Sequence, residues 1–351
     1  MPLKLRLHME NNRWMFLRKI GTPARISFWT LVLLGVLALL APWISPDGTP
    51  DANRQEVRIR TCPPLQPIEF LVLASAKDGT WGNRERIPLL WHEETGGELR
   101  YVVWDQPEDT VRLEKHAAGG MQLIRRTFWL GSDLMGRDML SRILLGMRIT
   151  LKIGVFAVMV SLLFGISLGM LAGYFGGRTD MLLTWVMQVV WSVPSIMLVI
   201  AFSLAMGRGA WQVYLAVGLT LWVDVARLVR GEVRRLREQE FVQAARVLGF
   251  GPIRIMLNHL LPNMAGPVLI MAAAQFATAI LVESGLSFLG LGIQPPTPSL
   301  GMMIREHYPY ILTQSAWLAI VPGLVISAMV LACNLLSTGL SDYVGRVGEN
   351  S

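Results

Sequence analysis

The chain has 351 residues, of which 52% are hydrophobic and 16% charged, and its formal net charge is +7. Soluble domains carry about a quarter charged residues, so an ordinary soluble protein is excluded. The basic residues gather at the ends of apolar runs, which describes membrane flanks and argues against a nucleic-acid surface. Several continuous, non-alternating apolar runs of about 18 residues or more predict helical spans and exclude a β-barrel.

Residues 1–25 carry Lys4, Arg6, Arg13, Arg18, Lys19 and Arg25 against the single acid Glu10, and read as a basic cytoplasmic N-terminus. The apolar run 26–44 follows. A signal peptide has the same order of features, but this run is longer than a usual apolar core and lacks a good small-x-small cleavage site. It is therefore read as a retained first span. From 45 to 128 the composition turns polar, with prolines and charges of both signs, and this stretch is expected to lie outside the inner leaflet as an insert. Phe70-Leu71-Val72-Leu73 and Tyr101-Val102-Val103-Trp104 are β-prone. A small β-rich domain and an extended loop are both open. Cys62 in this insert and Cys333 in the last span lie in opposite settings, so no disulfide is expected.

Residues 129–149 contain Leu130-Gly131-Ser132-Asp133, Gly136-Arg137-Asp138, Ser141-Arg142 and Gly146-Met147-Arg148. They predict an interfacial helix capped by Asp133 or Asp138, with its arginines near lipid phosphates. The core 150–342 holds spans two to six. Span two (150–174) is rich in small residues that let helices approach closely. Span three (181–206) contains Pro194, which predicts a kink that either lines a path or only packs. Span four (211–229) reaches Asp224 and Arg227, and Arg230, Arg234, Arg235 and Arg237 mark the cytoplasmic side.

A loop over 230–262 separates spans four and five. In it, Phe241, Ala244, Ala245 and Leu248 share a helical face, Gly249 permits a turn, and Ile253, Met256, Leu257 and Leu260 form a second amphipathic helix ending at Pro262. Pro262 reads as the start of span five. Span five ends at Glu283, followed by Leu286-Ser287-Phe288-Leu289-Gly290-Leu291-Gly292 and Pro298-Ser299-Leu300-Gly301. Glu283 is an acid inside an apolar span, open to two roles: contact with substrate amines, or a hydrogen bond to a neighbouring helix. Span six (316–336) returns to the cytoplasm, and 343–351 forms a tail.

Gln243-Ala244-Ala245, Gly249, His259 and Leu261-Pro262 together resemble the EAA loop of ABC-transporter permease subunits, with Gln243 where the family usually has Glu. The 129–148 motif and the stretch after Glu283 resemble the dipeptide, oligopeptide and nickel branch of those permeases. The resemblance implies an all-α polytopic membrane protein of six transmembrane helices with the type I importer permease fold; the external insert after the first helix is longer than is usual for that family. It implies that Phe241, Gln243, Ala244, Ala245, Gly249 and Pro262 form an ATPase-coupling loop; Glu283, as an acid in an apolar span, and Pro194, as a kink, are the candidates for the translocation path. The implied partners are ABC ATP-binding subunits, a second permease subunit, an extracytoplasmic solute-binding protein and membrane lipids.

No G-x-x-x-x-G-K-[ST] loop occurs in the sequence, so ATP is expected to be used by partner subunits, and no cofactor, metal site or catalytic set is predicted in this chain. Two alternatives remain: an exporter-type peptide permease, and a membrane-anchored sensor or scaffold with the insert as its receptor.

Overall fold

A computed structural model of the protein describes residues 21–73, 85–95, 98–114, 121–207 and 210–349. The basic N-terminal stretch up to Lys19 lies outside the described residues. Helix α1 (Thr22–Ile44) is followed by five strands, β1 (Gln66–Leu73), β2 (Glu85–Thr95), β3 (Glu98–Val103), β4 (Gln106–Glu114) and β5 (Met121–Phe128). The membrane core then comprises α2 (Met139–Phe175), α3 (Gly177–Trp191), α4 (Ser195–Met206), α5 (Ala210–Arg237), α6 (Glu240–Val247), α7 (Pro252–Ile255), α8 (Ala265–Leu289), α9 (Leu300–His307) and α10 (Trp317–Glu349). Five helices (α1, α2, α5, α8 and α10) are each long and apolar enough to cross a bilayer, and α3 with α4 passes the same test as a broken pair, which makes up to six spans.

The insert is the β-rich alternative. Its strands form one antiparallel sheet in the order β4-β3-β2-β1-β5, with β5 returning to pair along the whole of β1, from Gln66 opposite Phe128 to Leu73 opposite Met121. Alternation gives each face its own core, as a period of two requires. Ile68, Phe70 and Val72 pack with Ile59, Cys62 and Phe128, while Leu71 packs with Ile87, Leu89, Leu99 and Tyr101. Both cysteines are buried and free.

Three sequence expectations change here. The interfacial helix over 129–149 is not a separate element, because α2 runs unbroken from Met139. Asp138 is its N-cap, accepting from the Ser141 amide at 2.8 Å, and no proline interrupts the helix before Phe175. Span three is broken rather than kinked. Residues 192–194 separate α3 from α4, the two helices diverge by 89°, and Pro194 is the N-cap of α4. The tail after 342 continues α10 to Glu349, where Val344 packs close to Gly266 at the start of α8.

The core is organised on α2 against α5. Gly165, Gly169 and Gly173 recur every four residues on α2 and meet Val225, Val229 and Val233, which recur with the same spacing on α5. A Cβ on Gly169 would lie 2.6 Å from the Ala226 carbonyl oxygen, so the backbones touch only because these positions have no side chain. A polar tie spans the same region. Buried Gln275 on α8 accepts from the Ser161 hydroxyl at 2.7 Å and donates to the Leu221 carbonyl at 2.7 Å, joining α2, α5 and α8.

Candidate functional site

The loop between α5 and α8 is a compact unit. Helix α6 ends in a Schellman motif: the Phe250 amide donates to the Ala245 carbonyl at 3.1 Å, and the Gly249 amide to Arg246 at 2.9 Å. Gly249 takes φ +75°, a left-handed conformation that costs a residue with a Cβ. Phe250 then stacks on His259, with ring centroids 5.8 Å apart, and carries the Arg254 guanidinium 4.2 Å from its centroid. A π turn over Met256–Leu260 joins α7 to the short helical stretch Leu261–Asn263, and the Leu261 amide reaches back to the Met256 carbonyl. Pro262, which has no N–H to contribute, sits in that stretch, so α8 begins at Ala265 rather than at Pro262.

Helix α6 turns only Val242 and Ala245 inward. Val242 and Ala245 are buried with Ile255, Met256 and Leu260 against Val229, Val233 and Leu236 of α5. Of the apolar face Phe241, Ala244, Ala245 and Leu248, only Ala245 points in and the other three are exposed, as is Gln243. Val247 is 88% exposed, Leu248 71% and Ile253 69%. The loop therefore leaves a run of apolar side chains uncovered, framed by Arg246 and Arg254. Gln243 makes only a local bond, donating to the Glu238 carbonyl at 3.1 Å.

A second cluster lies at the opposite end of α2. The Ser132–Arg137 turn folds back on the start of the insert, and a Cβ on Gly136 would lie 1.9 Å from the Glu56 carbonyl oxygen. Asp133 is fully buried and accepts from the amides of Met135 (2.8 Å) and Arg137 (2.9 Å) and from the Arg137 guanidinium. Arg142, also fully buried, lies 3.6 Å from Asp133 through Nε and donates to Glu306 at 3.1 Å, while Arg137 donates to Glu306 at 3.0 Å. These arginines meet carboxylates inside the protein and not lipid phosphates, which corrects the sequence expectation. Glu306 has no local signal in the sequence, because its partners Arg137 and Arg142 lie 169 and 164 residues away.

Asp133, Glu306 and His307 each place a ligand atom within 4.8 Å of the others. The two guanidiniums already balance the two carboxylates, so a divalent ion there would meet two positive charges at short range; the set fits a neutral joint better than a metal centre. The Nδ1 of His307 lies 2.7 Å from the Met303 carbonyl, and burial pushes the ring pKa below its ordinary value. A base with a depressed folded-state pKa loses stability as pH falls through its unfolded value of about 6.5. The unfolding temperature in detergent is therefore expected to be level from pH 8 to 7 and to drop below about pH 6.5, and His307→Asn should flatten that part of the profile. An identical slope in the variant would remove His307 as the cause.

Glu283 and Pro194 do not meet. Glu283 is fully buried on α8, accepting from Ser287 at 2.7 Å and, across the helix interface, from Thr150 of α2 at 3.3 Å. Its second predicted role, a bond to a neighbouring helix, describes this geometry. Pro194 is exposed at the break between α3 and α4.

Residues 165–346 match the family described as "Binding-protein-dependent transport system inner membrane component". The chain is 40% identical over 215 residues to the dipeptide transport system permease protein DppC of Alkalihalophilus pseudofirmus, covering 61% of this chain and 70% of that protein. It is 36% identical over 214 residues to the oligopeptide transport system permease protein OppC of Bacillus subtilis, covering 61% and 70%. To the glutathione transport system permease protein GsiD of Pectobacterium atrosepticum it is 39% identical over 214 residues, covering 61% and 71%. Among solved structures, an inward-facing MetNI methionine ABC transporter aligns with TM-score 0.48 and 17% identity, over 58% of this chain and 97% of that one.

Proposed function

The chain belongs to the family of binding-protein-dependent transport system inner membrane components, and from that premise we propose that it is one permease subunit of an ATP-driven importer of peptides. Its relatives carry dipeptide, oligopeptide and glutathione transport in their names, which favours small peptides and related solutes as cargo. In this reading it is a multi-pass inner-membrane protein with both termini in the cytoplasm and the β-sheet insert outside. A second permease completes the path, two ATP-binding subunits supply the energy, and an extracytoplasmic solute-binding protein delivers the cargo.

The observation that carries the reading is the uncovered apolar surface of α6 and the turn after it. Phe241, Val247, Leu248 and Ile253 are solvent-facing on an element whose own core is already filled by Val242 and Ala245. A rigid helix that offers apolar side chains beside a cytoplasmic row of arginines suits a groove on a soluble ATPase. ATP-driven closure of the two ATPases would move α6, and through the α2–α5 contact the spans would switch access. Only a loop that contacts the ATPases differently in the two states can do this.

The test is capture of the ATP-binding subunits by the tagged permease in mild detergent. Leu248→Asp places a charge on an exposed apolar site and leaves the core untouched. Wild type should capture the ATPases and Leu248→Asp should lose most of them while remaining folded; equal capture would remove α6 as the docking element.

A further inference from the structure

The face between α5 and α8 contains a cleft of about 480 Å³ that the coupling loop and the charge cluster do not use. Its walls are apolar through Leu221, Leu228, Met271 and Ala274, and it contains two charges of opposite sign, Asp224 and Arg227. Both side chains are exposed, and no ion-pair partner of either lies within 4.0 Å among the described residues. Each instead meets Trp191, the last residue of α3. The Arg227 guanidinium sits 4.0 Å from the indole centroid, and the indole is placed to donate to the Asp224 carboxylate.

Lipid exposure cannot account for this pair. Asp224 lies six residues inside Arg230, which is tied to Asp180. At 1.5 Å per residue the carboxylate-bearing position is about 9 Å deeper along α5. Ionised side chains at such depth face a bundle interior or a water-filled cavity, because the alternative is several kcal/mol of desolvation. A cleft with one carboxylate, one guanidinium and aliphatic walls matches a small zwitterion with apolar side chains. The spacing adds a size. Residues at i and i+3 on a helix stand about 5–6 Å apart. An extended dipeptide separates its ammonium and carboxylate by roughly 7 Å, at 3.3–3.6 Å per residue, and each further residue adds as much again.

We propose that the α5–α8 cleft is a transit subsite for dipeptide-sized zwitterions, in which Asp224 receives the α-ammonium group and Arg227 the terminal carboxylate. The inference rests on the peptide-importer reading and adds to it the contacting residues and the length preference. Gln275, locked by Ser161 and the Leu221 carbonyl, keeps the wall in register. Break geometry matters as well: the turn at 192–194 that separates α3 from α4 is what ends α3 at Trp191, against the two charges.

The experiment uses the complete transporter purified in detergent, with a dipeptide bearing a benzophenone side chain as photoprobe. Met271 in the cleft wall is the expected site of labelling. Asp224→Asn should lower labelling by the free dipeptide at least tenfold and leave labelling by its N-acetyl form unchanged, since that form has no ammonium to lose. Arg227→Gln should behave in the same way towards the free and C-amidated forms. Lengthening the probe to a tetrapeptide should weaken labelling. A merely structural pair would lower all probes alike, and that result, or labelling outside the cleft, overturns the proposal. Flux of unlabelled alanyl-alanine into proteoliposomes is measured alongside. Flux without cleft labelling sinks the subsite and leaves the importer standing, whereas no flux in wild type sinks the importer reading and the subsite with it.

Discussion

Replacing Gly249 with Asp is expected to reduce peptide uptake by the assembled transporter roughly 100-fold or more, a loss of coupling free energy of about 2.7 kcal/mol. The effect should fall on coupling rather than folding. A Cβ at Gly249 meets no atom within 4 Å, so the fold loses only the backbone term of a left-handed residue, about 1–2 kcal/mol. That strain lies in the turn that fixes α6 against α7, and the new carboxylate is added next to Leu248 on the uncovered surface. Uptake into vesicles, read beside the unfolding temperature of the purified variant, separates the two effects. Normal transport would remove the Schellman turn from the coupling mechanism. Lost transport with an unfolding temperature lowered by tens of degrees would mean that the loop supports the fold.

The largest stability loss is expected at Asp133. Asp133→Asn preserves size but removes the charge that faces Arg137 and Arg142, leaving Glu306 alone to balance two guanidiniums, one of them fully buried. Removing one partner of a buried ion pair typically costs about 3–5 kcal/mol, much of it the uncompensated charge left behind. Thermal unfolding in detergent reads this directly. The double variant Asp133→Asn/Arg142→Met should recover part of the loss, because it withdraws the orphaned charge as well. A single-variant cost below about 1 kcal/mol would mean that water reaches the cluster and screens it.

The spans were legible because hydropathy is a local property, and the five long helices fall on five of the predicted runs. The turn at Gly249 was legible for a similar reason: one residue type satisfies one backbone conformation. Which residues of α6 turn inward was not. Phe241, Val242, Ala244, Ala245, Val247 and Leu248 place apolar groups nearly all round an eight-residue helix, so periodicity offers two faces and only packing against α5 selects Val242 with Ala245. Pro194 announced a disturbance, but not the 89° divergence or the contact of Trp191 with Arg227 on another helix. Arg142 looked like a lipid anchor because nothing near it in sequence reveals Glu306. A charge whose partner lies 164 residues away is read correctly only after the chain has folded.

Helix α2 extends 37 residues, about 55 Å, and contains no proline. Its first turn holds Ser141, bonded to the Asp47 amide at the exit of α1, and Arg142 in the buried charge cluster. In its last turn the Tyr174 carbonyl accepts from Arg237 at 2.9 Å, and the Tyr174 ring lies beneath the Arg246 guanidinium of α6. Such a rod behaves as a lever with no joint of its own. The Gly165–Gly173 ladder ties the third of it nearest α6 to α5, so a push on α6 would move both helices together, and α2 has no joint to absorb the motion before its far tip. The sheet at the far tip would then rock whenever the loop at the near one is moved.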